Sequence, residues 1–549
     1  MRETNRFFHT RLVQVMGMGS SSRVWWAGGL VLLTVGTYAS GLDIPYYADD
    51  LQLYFPAAKL HWAAYLVTAD TATGFYRPLQ NVFLALMQSW MGMNPVPVHL
   101  VTLVLHLAVV GVVYEGGRWM GLSRRGAGVA AAVMALGQAN VAAVLGNDTL
   151  SQVGATLFGY LALRLYGASH WDGNSPSPLG FWGGLVALGT ALLFKESGIA
   201  FVLPLLALEG RVGGHYWQNE KRTALYRSLG RGGVLLLVVA GYLIGRTWTG
   251  AVSPGFGPGP YQYDLGVNLL RNAALFGAAA TSVVPTTSVA QWAQEGAMIP
   301  LMGALVLSGG LVFAVGYGVY RGRRWARGLV LLGLAGMSLG PVLPLNNVSE
   351  LYVYSAMPPL SLLAGMGIDE ALTAVSAERR RMGVLLVGVF LCVQVGGVYQ
   401  KSVLMENTGD RMHAVLPALV DHARAAPAGA ALCLQTPPRH DTTAYSIYRM
   451  PGALPFHFAE SVLRHRARRP DLAFSVGTPD CTGTMSSSTV VRLRLRKQGW
   501  GVERVRPVPA PESSSLDIAP GMGRALPDDR YLLDIAPEGL VGPLDPDAV

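Results

Sequence analysis

From position 24 to 399 the chain is a succession of long apolar stretches broken by short polar turns; from 400 to 549 that pattern stops. A bilayer core takes an apolar helix of ~17–25 residues. Stretches of that kind, or slightly shorter, lie at 24–41, 97–115, 127–145, 150–167, 179–194, 198–210, 232–248, 300–320, 327–345, 352–368 and 382–399. Two further apolar segments, 78–92 and 264–285, read either as spans or as half-helices at one surface. Tyr54 to Val67 is amphipathic, with Lys59, Trp62 and Tyr65, and suits a helix lying in the interface. In the last 150 residues the pattern shortens to candidate strands at Ala430–Gln435, Thr489–Lys497 and Tyr531–Ile535. The run VVRLRLRK puts basic residues on one strand face, and 507–528 is rich in Pro, Ser and Gly.

Composition agrees with this division. Hydrophobic residues make up 51% of the 549 and charged residues only 14%, where a soluble chain carries roughly 25% charged residues. The net charge of +9 comes from arginines clustered beside apolar stretches. That is how membrane helices are oriented, and nucleic acid is not an expected partner. If 78–92 and 264–285 do not span, then 1–23, 116–126, 211–231, 321–327 and 375–381 share one side and hold 19 Lys/Arg. The opposite loops, apart from the tail, hold four: Lys59, Arg77, Lys195 and Arg271. The positive-inside rule places the first group in the cytoplasm. The expectation is an all-α polytopic membrane domain over 24–399, with about eleven spans by length and two interfacial or half-helices. A cytoplasmic N-terminus, 1–23, precedes it, and a small α/β extracytoplasmic domain, 400–549, follows. Val24–Tyr38 is long for a signal-peptide core and reads as an uncleaved first helix. Cys433 and Cys481 could pair in an extracytoplasmic tail.

This topology collects the unusual polar residues on the outer side: Asp49, Asp50, Arg77, Asp148, Lys195, Glu196, Arg246 and Glu350. Ionisable groups beside hydrocarbon are costly, so a one-sided collection points to a site or a water-filled cavity. Each member also has a plain structural reading. Asp49 and Asp50 suit a helix N-cap, and Tyr76-Arg77-Pro78 suits an arginine anchored among headgroups. Lys195 and Glu196 could neutralise each other, and Asn147-Asp148 suits a tight turn. His99, Thr102 and His106 share one helical face and suit helix-packing hydrogen bonds. Asn346, Asn347, Ser349, Glu350, Tyr352 and Tyr354 form a polar-aromatic turn fit for sugar hydroxyls or for an interfacial aromatic belt.

Read in order, an acidic pair after the first span, YRPL, H-x-x-T-x-x-x-H, a small acidic turn, LLFKESG and LP-x-N-N-x-x-E-x-x-x-Y resemble the GT-C membrane glycosyltransferases over roughly residues 25–370. The branch it looks most like is that of the protein O-mannosyltransferases. The resemblance implies transfer of a sugar from a polyprenyl-phosphate carrier to an acceptor on the outer face, with inversion at the anomeric carbon. It implies a catalytic carboxylate at Asp49 or Asp50 and a donor phosphate met by Arg77, Lys195 and Arg246. Tyr76, His99, His106, Asp148, Glu196, Glu350 and Tyr354 would support them. Many relatives need no metal; a divalent cation at Asp49 and Asp50 is the one cofactor left open. The chain departs from the family at Thr102, at LGQANVAAVLGND and at Leu351, and shows no tetratricopeptide repeat in its tail. The sugar and the acceptor (protein, lipid or polysaccharide) stay open. The rival expectations are a transporter of a lipid-linked substrate and a non-catalytic scaffold.

Overall fold

The computed structural model describes residues 21–47, 50–51, 61–70, 74–92, 94–171, 178–218, 222–252, 262–346, 348–429 and 431–435, and short pieces at 463, 466–468, 473–477, 490–495 and 502–504. Among them lie fifteen α-helices. They are α1 Ser21–Tyr38, α2 Pro78–Met91, α3 Val96–Trp119, α4 Arg124–Leu136, α5 Val141–Val144, α6 Leu150–Trp171, α7 Pro178–Phe194 and α8 Val202–Gln218. The remainder are α9 Arg222–Trp248, α10 Asn268–Thr281, α11 Thr286–Gln294, α12 Met298–Arg321, α13 Trp325–Leu339, α14 Met357–Thr373 and α15 Ala377–Ala425. Every apolar stretch of the sequence carries a helix. Among the described residues five helices are long and apolar enough to cross a membrane, six if a bent pair counts as one, and α7 and α13 are shorter apolar helices. The chain is a multi-pass membrane protein.

The expected single span at 127–145 is broken. α4 and the segment 138–144 meet at 48°. Gly137 takes an extended conformation there, and the side chains of the next residues are used elsewhere. Asn140 Nδ2 donates back to the Met134 carbonyl, while Gln138 Nε2 donates to the Val284 carbonyl. Two other expected spans open on 3-10 turns, Glu196–Phe201 before α8 and Glu350–Ala356 before α14. α14 then starts with prolines in its first turn, where the missing N–H groups have no intrahelical partner to lose. Of the ambiguous segments, 78–92 holds the fourteen-residue α2 and 264–285 the fourteen-residue α10. Within the amphipathic stretch of the first loop, Trp62–Leu66 is a 3-10 turn, and 52–60 lies outside the described residues.

Tight crossings hold the bundle. Cβ atoms at Gly365 or Gly367 would overlap the backbone of Gly126 or Val315, so α14 lies against α4 and α12 at backbone distance, as small residues allow between membrane helices. α15 runs without a break for 49 residues, across position 400 and on to Ala425. It leads into a four-stranded sheet ordered β2-β1-β3-β4, with β1 Ala431–Gln435, β2 Ala473–Gly477, β3 Val490–Leu495 and β4 Val502–Arg504. β1 pairs in parallel with β2 and β3, and β3 pairs antiparallel with β4. β1 and β3 fall on two of the expected strands; Tyr531–Ile535 lies outside the described residues. Cys433 is disulfide-bonded and Cys392 is free; Cys481 lies outside the described residues.

Candidate active site

Arg77 ends the loop before α2, with Pro78 as the first helical residue. Its guanidinium grips Glu196 as a fork, Nη2 to Oε1 at 2.7 Å and Nε to Oε2 at 3.1 Å. The same guanidinium lies 4.3 Å from the centroid of the Phe75 ring. Glu196 is brought there by a sharp return after α7. Lys195 is extended, and the Gly198 N–H donates to its carbonyl at 2.9 Å. A Cβ at Gly198 would lie 2.8 Å from the Ala191 carbonyl carbon, so the K-E-S-G spacing matters for steric reasons. Arg246, in the last turn of α9, stands 4.0 Å from Glu196 Oε2 and also donates to the Val252 carbonyl. Backbone bonds from Val252 to Gly74 and from Ala69 to Thr249 tie this end of α9 to the loop that carries Arg77.

Lys195 points the other way. Its Nζ lies 5.4 Å from the Tyr352 ring centroid, and the residue is 4% exposed. Burial pushes its ammonium down to about 7, and Arg77 adds to the shift against the pull of Glu196 and Asp148. Burial alone would raise the Glu196 carboxyl; Arg77 overrides it and holds it at about 2. Asp148, in the turn between α5 and α6, is raised by burial against Lys195 and Arg77. Arg77, Lys195, Arg246, Asp148 and Glu196 therefore form one cluster, drawn from four separate stretches of chain. The mutual neutralisation of Lys195 and Glu196 is not what forms, because Glu196 is taken by Arg77.

Asp50 stands in the neighbouring loop, 5% exposed. Its Oδ2 accepts from the Tyr47 N–H at 3.2 Å and from Asn147 Nδ2 at 3.0 Å. The loop after α1 is thus pinned to the 147–148 turn, next to the cation cluster. Asp49 lies outside the described residues.

The other expected residues are held by bonds within the bundle. Tyr76 donates to the Leu66 carbonyl at 2.9 Å. His99 Nδ1 donates to the Leu42 carbonyl at 2.7 Å. His106 Nε2 donates to the Ala135 carbonyl at 3.3 Å, and its Nδ1 accepts from the Tyr354 hydroxyl at 2.8 Å. Glu350 is not with Arg77. It is paired at 2.6 Å with Lys401 of α15, whose side chain is wholly buried, and it accepts from the Thr286 hydroxyl at 3.1 Å. Lys401, Gln138 and Thr286, which meet here, carry no such signal in the sequence. Lys401 sits two residues past the last apolar stretch, in KSVLMEN, a place that reads as the start of a polar tail. Among the described residues no three His, Cys, Asp or Glu come together in a way that could hold a metal ion.

No protein-family model matches the sequence, and no curated protein matches it. Among solved structures the chain is similar to the crystal structure of ArnT from Cupriavidus metallidurans in the apo state. The identity is 13%, with 84% of this chain and 87% of that chain covered, at a TM-score of 0.49. A likeness that loose carries no chemistry; the residues of the cluster must.

Proposed function

We propose that this multi-pass membrane protein is a glycosyltransferase that moves a sugar from a polyprenyl-phosphate carrier to an acceptor on the outer face of the membrane. The observation that carries the reading is the approach of Arg77 and Arg246 to one carboxylate, Glu196, with Lys195 buried in the same cluster beside the Asp50 loop. Two arginines, joined by Lys195 below about pH 7, face one firmly ionised carboxylate, with Asp148 raised by burial, and leave net positive charge in a largely buried place. Such an arrangement suits an anion that arrives from the bilayer, where an unpaired charge is expensive. Arginine offers a fork to phosphate, and lysine a point charge.

In the proposed reaction an acceptor hydroxyl gives its proton to a carboxylate of the first loop. Asp49 is our choice of base and Asp50 that of orienting partner, since Asp50 already spends one oxygen on Tyr47 and Asn147. The hydroxyl oxygen bonds to the anomeric carbon as the carbon–oxygen bond to phosphate breaks. The bonding pair leaves with the polyprenyl phosphate, whose developing charge faces Arg246, Lys195 and Arg77. The order of motifs shared with the GT-C enzymes supports the same assignment. The disulfide at Cys433 suits an extracytoplasmic tail, since disulfides persist in oxidising compartments.

The test is transfer of radiolabelled sugar from polyprenyl phosphate by the purified chain. A positioned base contributes typically 10²–10⁴-fold, so Asp49→Asn is expected to abolish turnover in a folded protein. Full activity in both Asp49→Asn and Asp50→Asn would remove the loop from the mechanism. A wild-type chain that moves a lipid-linked sugar across vesicles without transferring it would replace the enzyme with a transporter.

A further inference from the structure

We propose that the outer half of α15 is a positioning strut for the first outer loop, and that Gly409 is the contact that sets where Asp50 stands. This rests on the transferase reading above. Beyond Tyr399 the helix leaves its apolar stretch, yet Lys401, Met405, Gly409, Met412, Leu416 and Leu419 all stay buried. Their spacing of three and four residues makes them one helical face.

What that face meets is the loop after α1. A Cβ at Gly409 would stand 2.8 Å from Pro45 Cδ and 3.0 Å from the Pro45 carbonyl oxygen. His413, one turn on, faces the Tyr46 carbonyl. Ile44, Tyr46 and Tyr47 share one apolar cluster with Met405 and Met412. From Pro45 the path to the proposed site is short. Tyr47 donates its N–H to Asp50 Oδ2, and Asn147 holds the same oxygen from the other side. At its inner end the face is fastened to the 350–356 turn by Lys401 and Glu350. At its outer end Val420 and Ala423 share the same cluster with Leu432 of the sheet. One unbroken helix therefore joins the C-terminal sheet to the loop that carries Asp50. Gly409 acts through Pro45 and Tyr47, so it is a positioning residue, and any side chain there pushes the loop.

The experiment compares the full chain with Gly409→Val, Pro45→Gly and the double substitution in lipid nanodiscs, with Gly409→Ala as the milder variant should valine prevent folding. Deuterium uptake over 42–51 and donor kinetics are both measured. Gly409→Val is expected to raise uptake in 42–51. It should lower kcat about 10–100-fold, the order of loss from a misplacement near 1 Å, with donor KM unchanged. Pro45→Gly in the same chain removes the Cδ and Cβ that the new side chain meets, though not the carbonyl oxygen, and should bring kcat back toward wild type and uptake down to that of Pro45→Gly alone. Unchanged uptake in Gly409→Val overturns the contact. Raised uptake with wild-type kcat overturns its link to the chemistry, and a parallel rise in donor KM shows a general distortion instead. If the wild-type chain transfers no sugar, the transferase reading fails, while the uptake measurement still decides the strut.

Discussion

At the Arg77 side chain, one guanidinium forks onto Glu196 and, in the proposed reaction, also meets the donor phosphate. Arg77→Ala removes a charge-assisted bond of about 1.5–3 kcal/mol, equivalent to about 10–100-fold in donor kcat/KM. Arg77→Lys should restore only part, because the charge returns without the fork. Donor titration in the transfer assay reads this, and wild-type constants in Arg77→Ala would sink the phosphate assignment. Lys195 gives a pH signature. Its ammonium is lowered to about 7, so above that pH it loses the proton and with it the attraction for phosphate. Donor kcat/KM, which reports the free enzyme, should therefore fall as pH rises through about 7. Lys195→Arg, always charged, should flatten that limb. A profile equally steep in wild type and Lys195→Arg would assign the limb to another group. Removing Lys195 together with Glu196 should not restore what Lys195→Ala loses, since Glu196 balances Arg77.

Among the elements, two 3-10 turns decide the site, and each is held by a particular contact. At Glu196–Phe201 the contact is steric. Gly198→Ala puts a methyl against the Ala191 carbonyl and should cost about 1–3 kcal/mol as overpacking, with donor binding lost alongside stability in a detergent unfolding titration. At Glu350–Ala356 the contact is electrostatic. Lys401→Met leaves the Glu350 carboxylate buried without its partner at 2.6 Å, and breaking a buried pair costs about 3–5 kcal/mol. Adding Glu350→Met removes the stranded charge and should recover most of that loss. Equal instability of the single and double variants would show that the turn is held by other bonds, such as that between Tyr354 and His106. The turn between α4 and α5 has the same character, since Gln138 leaves its helix to serve the 282–286 link.

For the molecule as a whole the question is orientation. A reporter placed after Ala426, where α15 ends, should be active only outside the cytoplasm, and one within 211–231 only inside. The reason is the count of 19 Lys/Arg against four in the loops of the two sides, read by the positive-inside rule. A cytoplasmic signal from the position after Ala426 would turn the site inward and end the proposal of an outward-facing transferase. The place of this reporter comes from the structure. Position 400, where the apolar pattern stops, lies in mid-helix.

Much of this was legible in the chain before folding was considered. Where helices form follows from the length of apolar stretches, because a backbone in hydrocarbon must satisfy its own hydrogen bonds; each expected stretch carries a helix. The cost of charge near a bilayer singled out Arg77, Lys195, Glu196, Arg246 and Asp148, together with Asp49, Asp50 and Glu350, as candidates; the structure brings the first five together. Which of them pair did not follow from that cost. Arg77 and Glu196 are 119 residues apart, and Glu350 and Lys401 are 51 apart. Neighbours in sequence, Lys195 and Glu196, turn to opposite sides instead. Hydropathy reports whether a residue leaves water, and it is the same number whether the residue then faces lipid or another helix. The partner of a buried charge is set by how the helices cross and where they break, as at Gly137 and Gly198, or run on, as α15 does. Those are contacts between distant segments, and only the tertiary structure contains them.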